Sequence, residues 1–174
     1  MNAAFNILAC NWKHYALLAD IGAVTFYETF SPHNEKADMV AYIEKTYNLK
    51  QVEDNLKEAH IHYFVCYNEK QDVGYIKLIE NVVVDELSGH IMELEKIYVR
   101  QFAHGTKAAS LLMQEAIDLA RTNGANYLYL GVWQENERAL AFYKKFGFEV
   151  FSTRSFQLGK RLCEDYLLKL DIRL

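Results

Sequence analysis

The chain of 174 residues predicts a mixed α/β (α+β) fold, in which helices flank a central, mixed and mostly antiparallel sheet. Apolar residues recur at helical spacing in some segments and alternate at strand spacing in others. The predicted order is helices, an antiparallel meander, and then strand, helix, strand, helix and a final strand pair. This order differs from the regular strand–helix alternation of a doubly wound nucleotide-binding fold. We expect a single domain over residues 1–174.

The first half of the chain is predicted to hold three helices between a short first strand and a hairpin. The helices are expected at residues 12–30, 36–47 and 49–59, and the sequence at 31–34 separates the first two. The polar residues at 68–72 predict a hairpin turn. The strands of this half are expected at residues 4–8, 60–67, 73–79 and 91–99.

The second half is predicted to alternate helices and strands. A helix is expected over residues 108–123, with Gly124 as its C-terminal stop. The apolar run at 127–132 predicts a strand that is covered on both faces. A further helix is expected over 134–146 and ends before Gly147. Two antiparallel strands around Gly159 are expected at residues 148–156 and 162–170.

Composition excludes several classes of partner. The net charge of −4 and the absence of a basic stripe argue against nucleic acid, and weakly favour a cationic substrate. No apolar run reaches the roughly 20 residues that span a bilayer, so no membrane partner is expected. The first residues lack the basic and apolar regions of a signal peptide, and the three cysteines are widely spaced. A reducing, cytoplasmic location is therefore expected, and a homodimer is left open.

One stretch indicates a phosphate-binding site. The strand at 91–99 leads through a short polar turn into the helix that contains Ala108. Backbone N–H groups converge at a helix start, and the helix dipole favours negative charge there. A dinucleotide-binding loop would need G-x-G-x-x-G, and a P-loop would need G-x-x-x-x-G-K-[ST]. The sequence at 104–107, His-Gly-Thr-Lys, matches neither pattern.

Two motifs resemble those of the GNAT acetyltransferases. The turn resembles motif A, with His104, Lys107 and Ala109 on its three motif positions, although His104 replaces Gln/Arg and Lys107 replaces a glycine. Residues 133–148 resemble motif B, N-x-x-A-x-x-F-Y-x-x-x-G-F, with Asn136 and Tyr143 at two of its positions. Asn136 and Tyr143 also share one helix face. The alternatives are a helix N-cap for Asn136 and a core position for Tyr143.

The resemblance implies the GNAT acyl-CoA N-acyltransferase fold and acetyl-CoA as co-substrate, with no metal. It implies that the turn holds the pyrophosphate and that the strand before it pairs with pantetheine. It also implies that Tyr143 is the general acid toward the CoA sulfur. The residues expected to bind acetyl-CoA are Ile97, Tyr98, Val99, His104, Gly105, Thr106, Lys107, Ala108, Ala109, Asn136 and Tyr143.

The reaction also needs a base, because an alkyl amine with a pKa near about 10.4 must lose a proton before it attacks a thioester. Glu93 and Glu95 alternate onto the same side of the strand beside the expected cofactor site. Either carboxylate is a candidate base, with Glu95 preferred, and the pair would attract a cationic amine. The alternative is that both glutamates are solvent-facing charges.

Similarity over most of the chain to the PaiA-type spermidine/spermine acetyltransferases implies a polyamine as the small-molecule amine substrate. Tyr27, Glu28, Phe30 and His33 lie where this family builds its acceptor pocket. Two other functions stay open. One is acetylation of protein N-termini or lysines. The other is a degenerate GNAT domain that binds CoA, or nothing, and has a regulatory or interaction role. Lys107 at the glycine position of motif A would explain a loss of cofactor binding.

Overall fold

The computed structural model describes residues 4–158 and 161–173, without the side chains of His33, 156–158 and 161–163. Short 3₁₀ turns lie at Trp12–His14, Ser31–His33 and Gln101–Ala103. The strands are β1 (Asn6–Ala9), β2 (Ile61–Tyr67), β3 (Asp72–Ile79), β4 (Ile91–Val99), β5 (Tyr127–Trp133), β6 (Glu149–Leu158) and β7 (Arg161–Asp171). The helices are α1 (Tyr15–Phe30), α2 (Lys36–Thr46), α3 (Leu49–Asn55), α4 (Ala108–Thr122) and α5 (Glu137–Lys145).

The strands form one sheet of seven in the order β1-β2-β3-β4-β5-β7-β6. β1 pairs with β2, and β7 pairs with both β5 and β6, all in antiparallel fashion. β4 and β5 run parallel, and their register joins Ile91 to Tyr127 and Glu93 to Tyr129. This mixed, mostly antiparallel sheet with helices confirms the predicted fold class.

Helix ends depart from the predictions where local hydrogen bonds override the apolar pattern. α3 ends at Asn55, because the next N–H groups make tighter bonds, from Lys57 to Asp54 O and from Glu58 to Asn55 O. α5 begins at Glu137, since Asn136 is its N-cap. Gly124 and Gly147 follow α4 and α5 with φ of 68° and 86°, as expected of helix stops. Gly159 lies outside the described residues.

The chain divides into two compact units. The N-terminal unit comprises the described residues up to Leu78 together with Lys96–Ala116, and the C-terminal unit comprises Ile79–Glu95 and the described residues from Ile117 onward. No helix among the described residues has the length and hydrophobicity needed to cross a membrane.

An aromatic core organises the N-terminal unit. Phe26 of α1 stacks on Tyr42 of α2, with ring centroids 4.2 Å apart. The hydroxyls of Tyr47 and Tyr75 are hydrogen-bonded at 2.9 Å within this core. A Cβ at Gly22 would lie 2.4 Å from the ring of Tyr47, so α1 can approach this ring only because residue 22 is glycine.

Candidate active site

The turn between β4 and α4 is held by its own polar groups. Gly105 adopts φ +79°, a left-handed conformation that favours glycine, and no atom lies within 4 Å of where its Cβ would be. The Nε2 of His104 lies 3.0 Å from the carbonyl oxygen of Val99 and donates to it. The exposed residues of this turn are His104, Gly105, Thr106 and Lys107. The turn therefore presents its backbone to solvent in a defined conformation.

Thr106 connects this turn to the first residue of α4. Its hydroxyl donates to the carbonyl of Ala103 at 2.7 Å and accepts from the N–H of Ala108 at 3.3 Å. The N–H of Leu111 then bonds Lys107 O at 3.0 Å. The N–H of Ala109 thus belongs to the first turn of the helix, where N–H groups lack helical acceptors. Ala108, the first residue of α4, is fully buried.

The start of the turn is bonded to α1. Oε1 of Glu28 accepts from Nε of Arg100 at 3.0 Å, and Oε2 accepts from the backbone N–H of Gln101 at 2.8 Å. The backbone N–H of Arg100 in turn donates to Val73 O on β3 at 2.8 Å. Sequence reasoning placed Glu28 in the acceptor pocket and did not pair it with Arg100.

The other residues predicted for the acceptor pocket have different surroundings. The ring of Phe30 is half-buried and lies 6.1 Å from that of Tyr98, centroid to centroid. Tyr27 is 44% exposed. The side chain of His33 lies outside the described part of the chain. The structure thus brings Phe30 and Glu28 to the end of β4 and its turn, whereas Tyr27 faces solvent.

The two predicted base candidates lie in the C-terminal unit and are half-buried, as alternate residues of one strand should be. Glu93 stands opposite Tyr129 of β5, and its carboxylate hydrogen-bonds the phenol. Burial raises the pKa of Tyr129 well above its ordinary value, and the charges of Glu93 and Glu95 raise it further. Oε2 of Glu95 is buried. Solvent-facing charges would not be enclosed in this way.

The β6–β7 pair adds Arg154 and Asp165 to Glu93, Glu95 and Tyr129, and these five residues are called the C-terminal cluster below. Nε of Arg154 on β6 lies 3.6 Å from Oδ2 of Asp165 on β7. The guanidinium also covers Gly131 of β5, where a Cβ would lie 2.6 Å from its Nη2. Burial raises the pKa of Asp165, and Arg154 opposes that rise. Sequence reasoning missed Tyr129, Arg154 and Asp165, although a glycine inside an apolar strand signals the close approach of another group.

α5 carries the two predicted motif B residues in the same unit. Oδ1 of Asn136 accepts from the N–H of Ala139 at 3.1 Å, so Asn136 is a helix N-cap. Tyr143 is 7% exposed and its ring packs between those of Phe142 and Phe148, with centroids at 5.6 and 5.9 Å. Burial raises the pKa of Tyr143 above its ordinary value, so the phenol stays protonated at neutral pH.

The model of the Acetyltransferase (GNAT) family matches residues 22–148, which span both motifs. The chain belongs to the GNAT family. It is therefore an acetyl-CoA-dependent N-acetyltransferase by family. An uncharacterized N-acetyltransferase of Lactobacillus delbrueckii subsp. lactis is 30% identical over 150 residues, covering 86% of this chain and 87% of the relative. An uncharacterized N-acetyltransferase of Mycobacterium bovis is 30% identical over 151 residues, covering 87% and 93%.

Solved GNAT structures share the fold. The PaiA N-acetyltransferase of Thermoplasma acidophilum in complex with coenzyme A superimposes with a TM-score of 0.79 at 17% identity, covering 97% of this chain and 99% of that one. The ribosomal-protein-S18-alanine N-acetyltransferase of Escherichia coli superimposes with a TM-score of 0.70 at 17% identity, covering 97% and 94%. These likenesses confirm the GNAT fold and leave the acceptor amine open.

Proposed function

We propose that this GNAT enzyme transfers the acetyl group of acetyl-CoA to a small cationic amine, with a polyamine such as spermidine or spermine as the first candidate. The observation that carries the proposal is the charge of the C-terminal cluster. Glu93, Glu95 and Asp165 contribute three carboxylates, against the guanidinium of Arg154 and the ammonium of Lys169, which stands opposite Tyr129 in the sheet. An excess of negative charge in a half-buried site favours a cationic acceptor.

Glu95 is the proposed general base. The carboxylate of Glu93 already accepts a hydrogen bond from Tyr129, whose raised pKa keeps the phenol a donor. Glu95 lies two residues further along the same face with Oε2 buried, and we assign it the role of taking the proton of the attacking amine, directly or through water. Glu93 and Asp165 would then hold the ammonium form of the amine near Glu95 before the proton leaves.

Tyr143 is the proposed donor toward the CoA sulfur. A phenol whose pKa lies above about 10 cannot fully protonate a thiolate of pKa about 8.5 without a cost of about 2 kcal/mol or more. We therefore assign Tyr143 a strong hydrogen bond to the sulfur as negative charge develops there. Such a bond stabilises the transition state and needs a phenol that stays protonated, as the burial of Tyr143 ensures.

The backbone geometry of the turn between β4 and α4 supports the proposal that this turn binds the phosphate groups of acetyl-CoA. The open space at Gly105 and the exposed residues 104–107 just before α4 suit the close approach of a phosphate group. We propose that Lys107, whose side chain is exposed, pairs with a phosphate in place of the backbone contact that a motif A glycine allows. The backbone of residues 97–99 is the proposed partner of pantetheine, and Asn136 the proposed partner of the cofactor on α5.

The location and assembly belong to the same proposal. We infer a cytoplasmic, single-domain enzyme over residues 1–174. Cys10 and Cys66 are free thiols, and burial raises their pKa values to about 12 and about 11, so neither is a reactive nucleophile at neutral pH. A homodimer is the assembly to look for by light scattering.

One observation favours a second function. Lys107 stands at the glycine position of motif A, and its Cβ restricts approach to the backbone. A domain that had lost cofactor binding in this way would have only a regulatory or interaction role. Titration calorimetry with acetyl-CoA identifies a domain that no longer binds it, and the acceptor panel below identifies a domain that binds it without turnover.

The test of the proposed reaction is release of the CoA thiol from acetyl-CoA with a panel of acceptors. The panel contains spermidine, spermine, a peptide with a free N-terminus and a peptide with an internal lysine. The proposal predicts the highest kcat/KM with a polyamine. Preferred turnover of either peptide would instead identify a protein acetyltransferase. Acetyl-CoA binding without turnover of any amine would contradict the enzymatic proposal.

A further inference from the structure

We infer that Glu28 is a positioning residue for the acetyl-CoA turn and that it does not bind the acceptor amine. This inference rests on the proposed placement of acetyl-CoA at the turn between β4 and α4. Glu28 lies in the last turn of α1, 72 and 73 residues from its two partners in the chain. Its position therefore joins two distant parts of the N-terminal unit.

Both carboxylate oxygens of Glu28 are committed to the start of the turn. Oε1 accepts from Nε of Arg100 at 3.0 Å, and Oε2 accepts from the N–H of Gln101 at 2.8 Å. Gln101 is the first residue of the 3₁₀ turn Gln101–Ala103, whose N–H has no acceptor within the turn. Glu28 thus acts as a distant cap on the segment that follows β4.

The other hydrogen bonds in the segment that follows β4 depend on the positions of Arg100 and Gln101. The N–H of Ala103 donates to Arg100 O at 2.9 Å, and the N–H of His104 donates to Gln101 O at 3.2 Å. The hydroxyl of Thr106 then uses Ala103 O. A shift of the first two residues would therefore propagate through this series of bonds to the N-terminus of α4.

The ion pair between Arg100 and Glu28 is partly buried. The side chains of Arg100 and Glu28 are 29% and 22% exposed. Charge-assisted bonds in such a site are screened less than those of an exposed pair. Pairing also neutralises Glu28, which as a free carboxylate would repel a nearby phosphate. The guanidinium of Arg100 lies 5.4 Å from the ring centre of Phe102, a second contact within the turn.

Loss of the anchor should lower the population of the binding-competent turn. The apparent Kd equals the intrinsic Kd divided by that population, so a fall to about one tenth raises Kd about tenfold. We expect Glu28→Ala to raise both Kd and KM for acetyl-CoA about tenfold, with kcat and the KM of the amine within about twofold. Glu28→Gln keeps an acceptor for the Gln101 N–H, so we expect a rise of about threefold.

The experiment combines calorimetry with acetyl-CoA and steady-state kinetics with spermidine on wild type, Glu28→Ala and Glu28→Gln. Glu44→Ala, which removes an exposed carboxylate from α2 of the same unit, is the matched charge control and should leave Kd unchanged. Circular dichroism reports whether each variant folds. If Glu28→Ala does not fold, the inference is tested by the smaller expected rise in the Kd for acetyl-CoA of Glu28→Gln.

Two results would overturn the inference. A rise in the KM of spermidine with an unchanged Kd for acetyl-CoA would place Glu28 in the acceptor pocket. Equal or tighter acetyl-CoA binding by both variants would show that the anchor does not position the turn. Failure of wild type to bind acetyl-CoA contradicts the proposed function instead, so the two failures are distinguishable.

Discussion

The two units of this GNAT chain supply different kinds of chemistry. The turn of the N-terminal unit is built from backbone conformation: Gly105 at positive φ, the hydroxyl of Thr106 and the start of α4. The C-terminal unit instead encloses side chains that ionise or donate protons, with Glu93 hydrogen-bonded to Tyr129 and Tyr143 buried as a neutral phenol. We propose that binding and catalysis can be altered separately, and each prediction below tests that separation.

The largest effect is expected from Tyr143→Phe, which removes the proposed donor and leaves the packed ring in place. We expect kcat to fall by on the order of 10²–10⁴, because the hydrogen bond to the developing thiolate is lost, with the Kd of acetyl-CoA within about threefold of wild type. Tyr127→Phe is the matched control, because Tyr127 OH accepts from Arg173 on the same unit. Unchanged turnover in Tyr143→Phe would remove this residue from the mechanism.

Glu95→Gln should produce the next largest effect, since it keeps the size of the side chain and removes the base. We expect kcat/KM to fall by about 10²-fold at neutral pH, with the Kd of acetyl-CoA unchanged. The deficit should shrink at high pH, where more of the amine is already neutral. Glu93→Gln is the comparison, and a larger loss in that variant would exchange the two roles.

Arg154→Met tests the electrostatics of the C-terminal unit through its stability. Burial raises the pKa of Asp165 and Arg154 opposes the rise, so the pKa of Asp165 should rise further in the variant. We expect the free energy of unfolding to fall by about 1 kcal/mol at neutral pH, because Arg154 is partly exposed. The loss should disappear as pH falls through the pKa of Asp165, which lies above the ordinary aspartate value, because Asp165 is then protonated in both folded proteins.

Denaturant unfolding of wild type and Arg154→Met across pH measures this difference. A loss that is the same at every pH would show that Arg154 stabilises the unit by packing alone. Loss of acetyl-CoA binding in the folded variant would break the separation of the two units.

The smallest effect is expected at the turn, from a pair of variants at Lys107. Lys107→Ala removes the charge and keeps the Cβ, and Lys107→Gly removes both. If the side chain pairs with a phosphate, both variants should raise the Kd of acetyl-CoA by about fivefold, with a smaller difference at high salt. Tighter binding in Lys107→Gly than in wild type would instead indicate that the lysine has impaired the site.

Most helices and strands could be predicted from the sequence because local periodicity defines them. The inner face of α4, at Ala108, Leu112, Ala116 and Ala120, is fully buried as its spacing predicts. The errors lie at helix ends. The capping bond of Asn136 starts α5 later than the predicted residue 134, and bonds after Asn55 end α3 early.

The candidate site was predictable only where a motif is contiguous. Asn136 and Tyr143 belong to one helix, so a linear pattern finds them. The Glu93–Tyr129 bond depends on the register of β4 with β5, and Arg154 reaches Gly131 from a strand that is not its neighbour in the sheet. Periodicity within a single strand carries no information about either contact. Glu28 likewise finds its partners more than 70 residues away.

The most direct test of the central claim is a competition assay in which wild-type enzyme receives acetyl-CoA with equal concentrations of spermidine and a peptide with a free N-terminus. Mass spectrometry then shows which amine carries the acetyl group. The charged C-terminal cluster predicts acetylated spermidine, with little acetylated peptide and a stoichiometric release of CoA. Acetyl transfer to the peptide, or no transfer to either amine, would contradict the claim.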